Sequence, residues 1–402
     1  MSAPRTIPAD VLTSISANSR WQRFPLIFGV VGVVCLAAAF GLSASTVERF
    51  HFSYLVAYMY GLSLALGALF FVIVQFLTKA GWSVVVRRVA ENMMGTLPLF
   101  AILFVPVAIG LHHTHHHWWH LVPGKDPILD AKAPYLNPTF FFARAILYLV
   151  IWTLLSQAFL RRSVAQDQSG NPEETRRQQW MAPPALGLYA LTVTFAAVDW
   201  MKSLDPHWFS TIWGVYYFAG SVVALFAMLS LLVLWLQRDG FIRKIVNQEH
   251  YHDLGKLLFG FVIFWSYIAF SQYFLIWYAN LPEETIWYAH RSHGGWESMG
   301  LMLVIGHFAI PFFFLLPRAM KRNPVTLAAG AGWLLWVHYL DLYYLIMPVH
   351  STGGPQPSIV DLLTLFGVVA CFLAAFAFLA KRSALVPVKD PRLAESLAFE
   401  NL

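Results

Sequence analysis

The chain reads as a succession of long apolar runs joined by short polar connectors. Ten runs are long enough, or nearly so, to cross a hydrocarbon core that takes about 20 helical residues. They cover 24–42, 52–77, 96–112, 139–160, 184–201, 211–236, 257–280, 299–316, 325–347 and 359–380. A run in lipid must satisfy its own backbone, which a helix does, so the pattern predicts an all-α polytopic membrane protein of about ten transmembrane helices. The first run precedes Ser43, Ala44 and Ser45, small residues of the kind found at a secretory cleavage site. A polar lead of 23 residues is long for such a signal, so the first helix is expected to be retained.

Composition agrees with this pattern. Of 402 residues, 58% are hydrophobic and 12% charged, a balance no water-soluble surface accommodates. Lys and Arg flanking spans stay cytoplasmic, and with both termini inside, only Arg49, Lys125, Lys132, Arg144, Lys202 and Arg291 of the 27 basic residues fall outside. The net charge of +6 therefore reports topology. No aromatic-interleaved basic stripe of a nucleic-acid binder is present, so no nucleic-acid partner is expected. The inner connector 161–180, polar and containing Gly170 and Pro172, is expected to be flexible. The outer loop 113–138 is too short for a soluble catalytic module, so any chemistry must occur at or within the membrane.

Two spans repeat a signature. Asp199, Pro206 and His207 recur as Asp341, Pro348 and His350, near the outer ends of the fifth and ninth spans. Both spans run outward, which fits parallel repeats: two four-helix bundles, spans two to five and six to nine, with spans one and ten peripheral. The corresponding units are a tail 1–23, a peripheral helix 24–51, a first bundle 52–205, a second bundle 206–350, and a last helix with its tail 351–402. An ionised carboxylate in hydrocarbon costs about 2.5–3.5 kcal/mol on insertion scales, so each acid needs a task or a partner. For Asp341, burial favours the neutral form unless a donor compensates.

His338 and Asp341 share a helix face, His307 lies at similar depth on the eighth span, and the seventh adds Tyr267, Ser271 and Tyr278. Such groups pass protons when hydrated, or tie helices together by hydrogen bonds worth about 0.6 kcal/mol on average. His307 and His338 are also conceivable axial ligands of a b-type haem. Arg144 either snorkels to the interface or pairs with Asp199. Glu297 and Asp361, at outer helix starts, favour the helix dipoles. His112, His113, His115, His116, His117 and His120 form the densest local cluster; His113, His115, His116 and His117 are weak metal candidates, against an interfacial cap anchored by Trp118 and Trp119. Cys35 and Cys371 lie inside apolar runs without CxxCH, so this chain is expected to hold neither attached haem nor an iron–sulfur cluster.

The segment Asp199 to Gly220 contains Trp208, Ser210, Thr211, Ile212, Phe218, Ala219 and Gly220, and resembles the turn between an outward and an inward helix in the NrfD/PsrC family of membrane quinol-handling subunits. Gly255–Gly260, Trp277–Thr285, Gly306–Phe312 and Pro317–Arg318 are similar to the branch that forms the second such subunit of bacterial alternative complex III. The resemblance covers about residues 20–382. It implies two four-helix bundles, a bacterial inner membrane location, and a complex that oxidises quinol and passes electrons to a cytochrome c or a terminal oxidase. It also implies partners: a sister NrfD-like subunit, an iron–sulfur subunit, multihaem c-type cytochromes and small membrane subunits, which carry the haem c and iron–sulfur groups. The resemblance further implies that quinol oxidation lies mainly with the sister subunit, which leaves quinone and lipid as the ligands open for this chain. The acids closing the bundles, Asp199 and Asp341, with His307 and His338, become candidate proton-path residues.

Overall fold

A computed structural model describes residues 6–8, 10–44 and 46–400. Among them the chain is a polytopic all-α membrane protein: helices and turns, one isolated bridge between Leu12 and Phe241, and no strand. The ten runs correspond to α1 (Phe24–Leu42), α2 (Val47–Leu77), α3 (Val84–Leu103 with Val105–Thr114), α4 (Pro138–Ser169), α5 (Glu173–Trp200), α6 (Trp213–Arg238), α7 (Gln248–Ala279), α8 (Trp296–Leu315), α9 (Pro324–Ile346) and α10 (Ile359–Ala380). Among the described residues, eight helices are long and apolar enough to cross a membrane, and bent α3 makes a ninth. α9 has the length, 23 residues, but stays outside that set with two tryptophans, His338, Asp341 and three tyrosines diluting its apolar character.

Local chemistry sets the ends. Asn137, Asn247, Asn323 and Ser358 accept first-turn N–H groups of α4, α7, α9 and α10, supplying partners the helix itself cannot. α3 bends by 53° where Pro106 offers no N–H to the preceding turn. It also begins earlier than the apolar run suggested. Arg87, Arg88 and Glu91, which read as loop residues, are buried and paired: Glu91 bridges Arg87 at 3.0 Å and Arg88 at 2.7 Å, and Arg88 reaches Asp167 at 2.8 Å.

The connector 161–180 is not the flexible loop its polarity suggested. α4 continues to Ser169, Gly170 closes it at φ 68°, and α5 starts at Glu173. Gln166 donates to Thr175 at 2.7 Å and Arg162 pairs with Glu174 at 3.1 Å, clamping the two helices.

α2 and α6 form the centre and pack on each other. Gly67 sits so close to the Ser221 carbonyl that a Cβ would collide with it, the close approach that small residues permit between membrane helices. α2 also touches α3, α5 and α10, whereas α6 touches α5, α7 and α9; α4 packs on α3 and α5, and α8 on α7 and α9. α1 lies along α10 and leaves most of its apolar surface exposed. Both tails meet at one end, where Leu385 N–H donates to the Thr13 carbonyl at 2.6 Å and Ser396 to the Trp82 carbonyl at 2.6 Å. Asp199 and Asp341 lie toward the other end of their helices.

Candidate functional site

Asp341 is buried on α9, and its carboxylate meets only neutral donors. Tyr216 of α6 donates to Oδ1 at 2.7 Å and the Trp265 indole of α7 to Oδ2 at 3.1 Å. No salt bridge to Asp341 occurs among the described residues. One turn earlier, His338 is also buried, with Nε2 3.0 Å from the Ser63 hydroxyl of α2. Ser63 gives its own proton to the Tyr60 carbonyl at 2.7 Å, so its lone pair accepts from His338 Nε2–H, which makes His338 Nδ1 the acceptor nitrogen. That nitrogen has no protein partner. Gly220 opposite it is required: a Cβ there would lie 2.9 Å from the imidazole.

His307 joins the group through an irregularity of α8. Residues Val304–Ala309 form a π-helix, a one-turn widening frequent at functional sites. Ile310 N–H bonds back to the Ile305 carbonyl, and Pro311 has no N–H to offer Gly306, so that carbonyl loses its helical donor. The Trp333 indole of α9 replaces it at 2.7 Å. The widened turn carries the buried His307 against Trp265, ring centroids 3.8 Å apart, and stacks it over His338 at 6.4 Å. Neither His307 nitrogen has a protein partner. Buried polar atoms of this kind are otherwise served by water, which would link imidazole to imidazole and to the carboxylate. A haem gripped by both histidines does not fit, because His338 Nε2 is committed to Ser63 and Trp265 covers His307.

Asp199 is held differently. Arg144 of α4 grips it with Nε at 2.8 Å and Nη2 at 3.0 Å, and Tyr148 adds a third bond at 2.8 Å. The guanidinium stacks over Tyr135 at 3.8 Å and Phe140 at 4.3 Å. Pairing, rather than snorkelling, is thus the role of Arg144. The second half has its own arginine at the corresponding end, but Arg291 directs three of its five N–H groups to the carbonyls of Tyr344, Leu345 and Trp287, at 3.2, 3.0 and 3.1 Å. It caps the last turn of α9, where a cation suits the helix dipole, and leaves Asp341 without a counter-charge.

A cavity of about 1000 Å³ opens beside Asp341 between α7, α8 and the connecting helix Pro282–His290. Its walls include both Asp341 donors, Tyr216 and Trp265, together with Tyr344 and Arg291. Burial pushes the Arg291 guanidinium down to about 10, which leaves it charged at neutral pH.

The remaining sequence candidates scatter. Tyr267 and Tyr278 are 64% and 77% exposed; Tyr267 lines the cavity while Tyr278 and the half-buried Ser271 do not, and none of the three bonds to Asp341, His307 or His338. The repeated histidines each meet an acid: His207 Nε2 lies 2.5 Å from Asp126 and His350 Nδ1 3.3 Å from Glu48, and the His207 imidazole holds the Asp126 carboxyl below the usual carboxylate range. Glu297 accepts the Gly295 N–H at 3.0 Å, and Asp361 accepts the Ser358 N–H at 2.8 Å and also pairs with Arg49 and Ser53.

Of the histidine cluster, His113 stacks on His51 at 5.2 Å, His116 on His117 at 4.2 Å, and His115 turns inward to Thr114 at 2.7 Å. Among the described residues no three His, Cys, Asp or Glu side chains converge on a metal position. Tyr216, Trp265, Ser63 and Arg291 escaped the sequence reading. Only Arg291 carried a signal, as one of the few basic residues that the charge pattern assigns to the outer side. No family model matches the chain, and no curated protein matches it.

Proposed function

We propose that this chain is a membrane subunit of a bacterial quinol:electron-acceptor oxidoreductase of the alternative complex III type, similar to its second NrfD-like subunit, and that its second half conducts protons through Asp341. In this reading residues 52–205 and 206–350 form two four-helix bundles, both termini face the cytoplasm of a bacterial inner membrane, and haem c and iron–sulfur groups belong to partner subunits. The motif resemblance from Asp199 through Arg318 supports membership of such a complex. The helix contacts, α2 with α3 to α5, α6 with α7 and α9, and α8 with α7 and α9, support the bundles.

The observation that carries the proton role is the contrast between the two acids. Asp199 is locked to a guanidinium, and protonating it would break a buried ion pair. Asp341 has only hydroxyl and indole donors, so it takes up or releases a proton without stranding a cation, and the unpartnered nitrogens of His307 and His338 adjoin it. The role divides accordingly: the first bundle's acid is structural, and the second bundle's acid is the carrier. A secondary transporter would pair its helix breaks between the two halves. Here the breaks fall in α3 and α8, at unmatched places.

Two measurements test this. Mass spectrometry of everything that co-purifies with the tagged chain should find multihaem c cytochromes, an iron–sulfur protein and a sister NrfD-like subunit; a chain recovered alone refutes membership. In the reconstituted complex Asp341→Asn should abolish proton uptake while Asp199→Asn lowers assembly and spares uptake in what survives. Wild-type uptake by Asp341→Asn would sink the proton role.

A further inference from the structure

The cavity beside Asp341 has a second chemistry at its far end. It follows α7 from Ile263 to Asn280, about 25 Å at ~1.5 Å per residue, close to the ~20 Å depth of one lipid leaflet with its headgroup region. Ile263, Val304 and Phe308 wall the deep part, whereas Asn280, Thr285 and Ser292 ring the end where Arg291 sits. Polarity thus rises along the slot as it does along a lipid molecule. Phe270, Tyr273 and Trp277 along its length are exposed, so the slot is open sideways to the bilayer.

Arg291 supplies the charge. It is buried, stacked on Trp287 at 3.6 Å, and a guanidinium has five donors, of which three serve backbone carbonyls. Among the described residues no carboxylate forms a salt bridge to it. Asp205 acts on it only through space, without a salt bridge, and lies 3.8 Å from His290, while Glu297, which also lines the cavity, is exposed and turned to the Gly295 N–H. A buried cation with no directly paired counter-ion is strongly unfavourable. Backbone carbonyls orient the guanidinium but do not neutralise it. An anion with an apolar tail satisfies both ends of the slot at once.

We infer that this cavity binds one anionic phospholipid, its phosphate on the free N–H groups of Arg291 and an acyl chain lying along α7. The occupant buries the aromatic wall and neutralises the cation. It also keeps water from reaching Tyr216 and Trp265 on that side, a consequence that rests on the reading of Asp341 above; the binding itself does not.

Native mass spectrometry of the full chain, extracted in its own complex and stripped of bulk lipid, reads the occupancy directly. Offered phosphatidylglycerol and phosphatidylcholine with the same chains, the wild type should retain one phosphatidylglycerol at least tenfold more strongly. Arg291→Gln should lose that preference and Arg291→Lys should keep most of it. Ala269→Trp, which fills the slot and leaves Arg291 intact, should lower the retained count by one, and it stands as the test if Arg291→Gln fails to fold. Equal retention of phosphatidylcholine, an unchanged count in Ala269→Trp, or displacement by excess inorganic phosphate would each overturn the inference. None of these readouts depends on proton movement, so failure here leaves the role of Asp341 standing, and the reverse.

Discussion

Replacing each repeated acid by asparagine separates an acid that holds a cation from one that does not. In Asp199→Asn the Arg144 guanidinium stays buried between Tyr135 and Phe140 and loses its counter-charge. Removing one partner of a buried pair costs about 3–5 kcal/mol, and the amide oxygen that remains can accept one of the former N–H bonds, which points to the lower part of that range. In Asp341→Asn no cation is stranded. The amide oxygen still accepts from Tyr216, but the amide nitrogen faces the Trp265 indole donor, so one buried donor goes unsatisfied, at about 1–3 kcal/mol.

The expected difference, about 1 kcal/mol between ~3 kcal/mol for Asp199→Asn and the ~2 kcal/mol midpoint for Asp341→Asn, is about fivefold in an unfolding equilibrium at ~1.4 kcal/mol per tenfold. Unfolding in detergent–dodecyl sulfate mixed micelles, followed by tryptophan fluorescence, resolves it. Adding Arg144→Met to Asp199→Asn should recover part of the loss, because both members of the pair are then gone. The reasoning is refuted if Asp341→Asn is as destabilised as Asp199→Asn, or if the double variant is no better than the single one.

Two further outcomes are expected. Trp333→Phe removes the indole that serves the Gly306 carbonyl; it should cost about 1–3 kcal/mol and speed amide exchange within Val304–Ala309, and unchanged exchange there would show that the indole does not hold the π-turn. His115 is buried, and burial pushes its imidazole down to about 3, so the unfolded chain binds the extra proton between that value and the ordinary ~6.5. The stabilisation is complete above pH 6.5 and is lost as pH falls, by ~2 kcal/mol from pH 6.5 to 5 at ~1.4 kcal/mol per unit. His115→Gln should lose less stability over that interval, and a loss identical to the wild type's would contradict the assignment.

Much of the architecture was legible in the sequence. The boundaries of α1 and α10 fall where the apolar runs end, because lipid leaves a helical backbone no other way to satisfy itself. The early start of α3 and the near-continuous α4–α5 hairpin were not legible. Arg87, Arg88 and Glu91 look like solvent-facing loop residues until Asp167 meets Arg88 and Asp390 meets Arg87 from distant segments, and Arg162 and Glu174 look so until the hairpin brings them together. The same holds for the polar stripe of α7. Spacing places Tyr267, Ser271 and Tyr278 near one another along the helix but cannot say which face looks inward, and the packed face turned out to carry Trp265 and Gln272.

The sequence by itself determined that the protein is helical, crosses a membrane several times, and keeps two acids where acids are costly, since hydropathy and charge are properties of the residues alone. Only the tertiary structure decided what those acids are. Asp199 and Asp341 carry the same signature of acid, proline and histidine, yet one is gripped by Arg144 while the other is left to Tyr216 and Trp265 because Arg291 turns to the carbonyls of α9. Whether a buried carboxylate is a fastener or a carrier depends on the charge that stands next to it, and that neighbour comes from another helix, at a distance along the chain that no local pattern records.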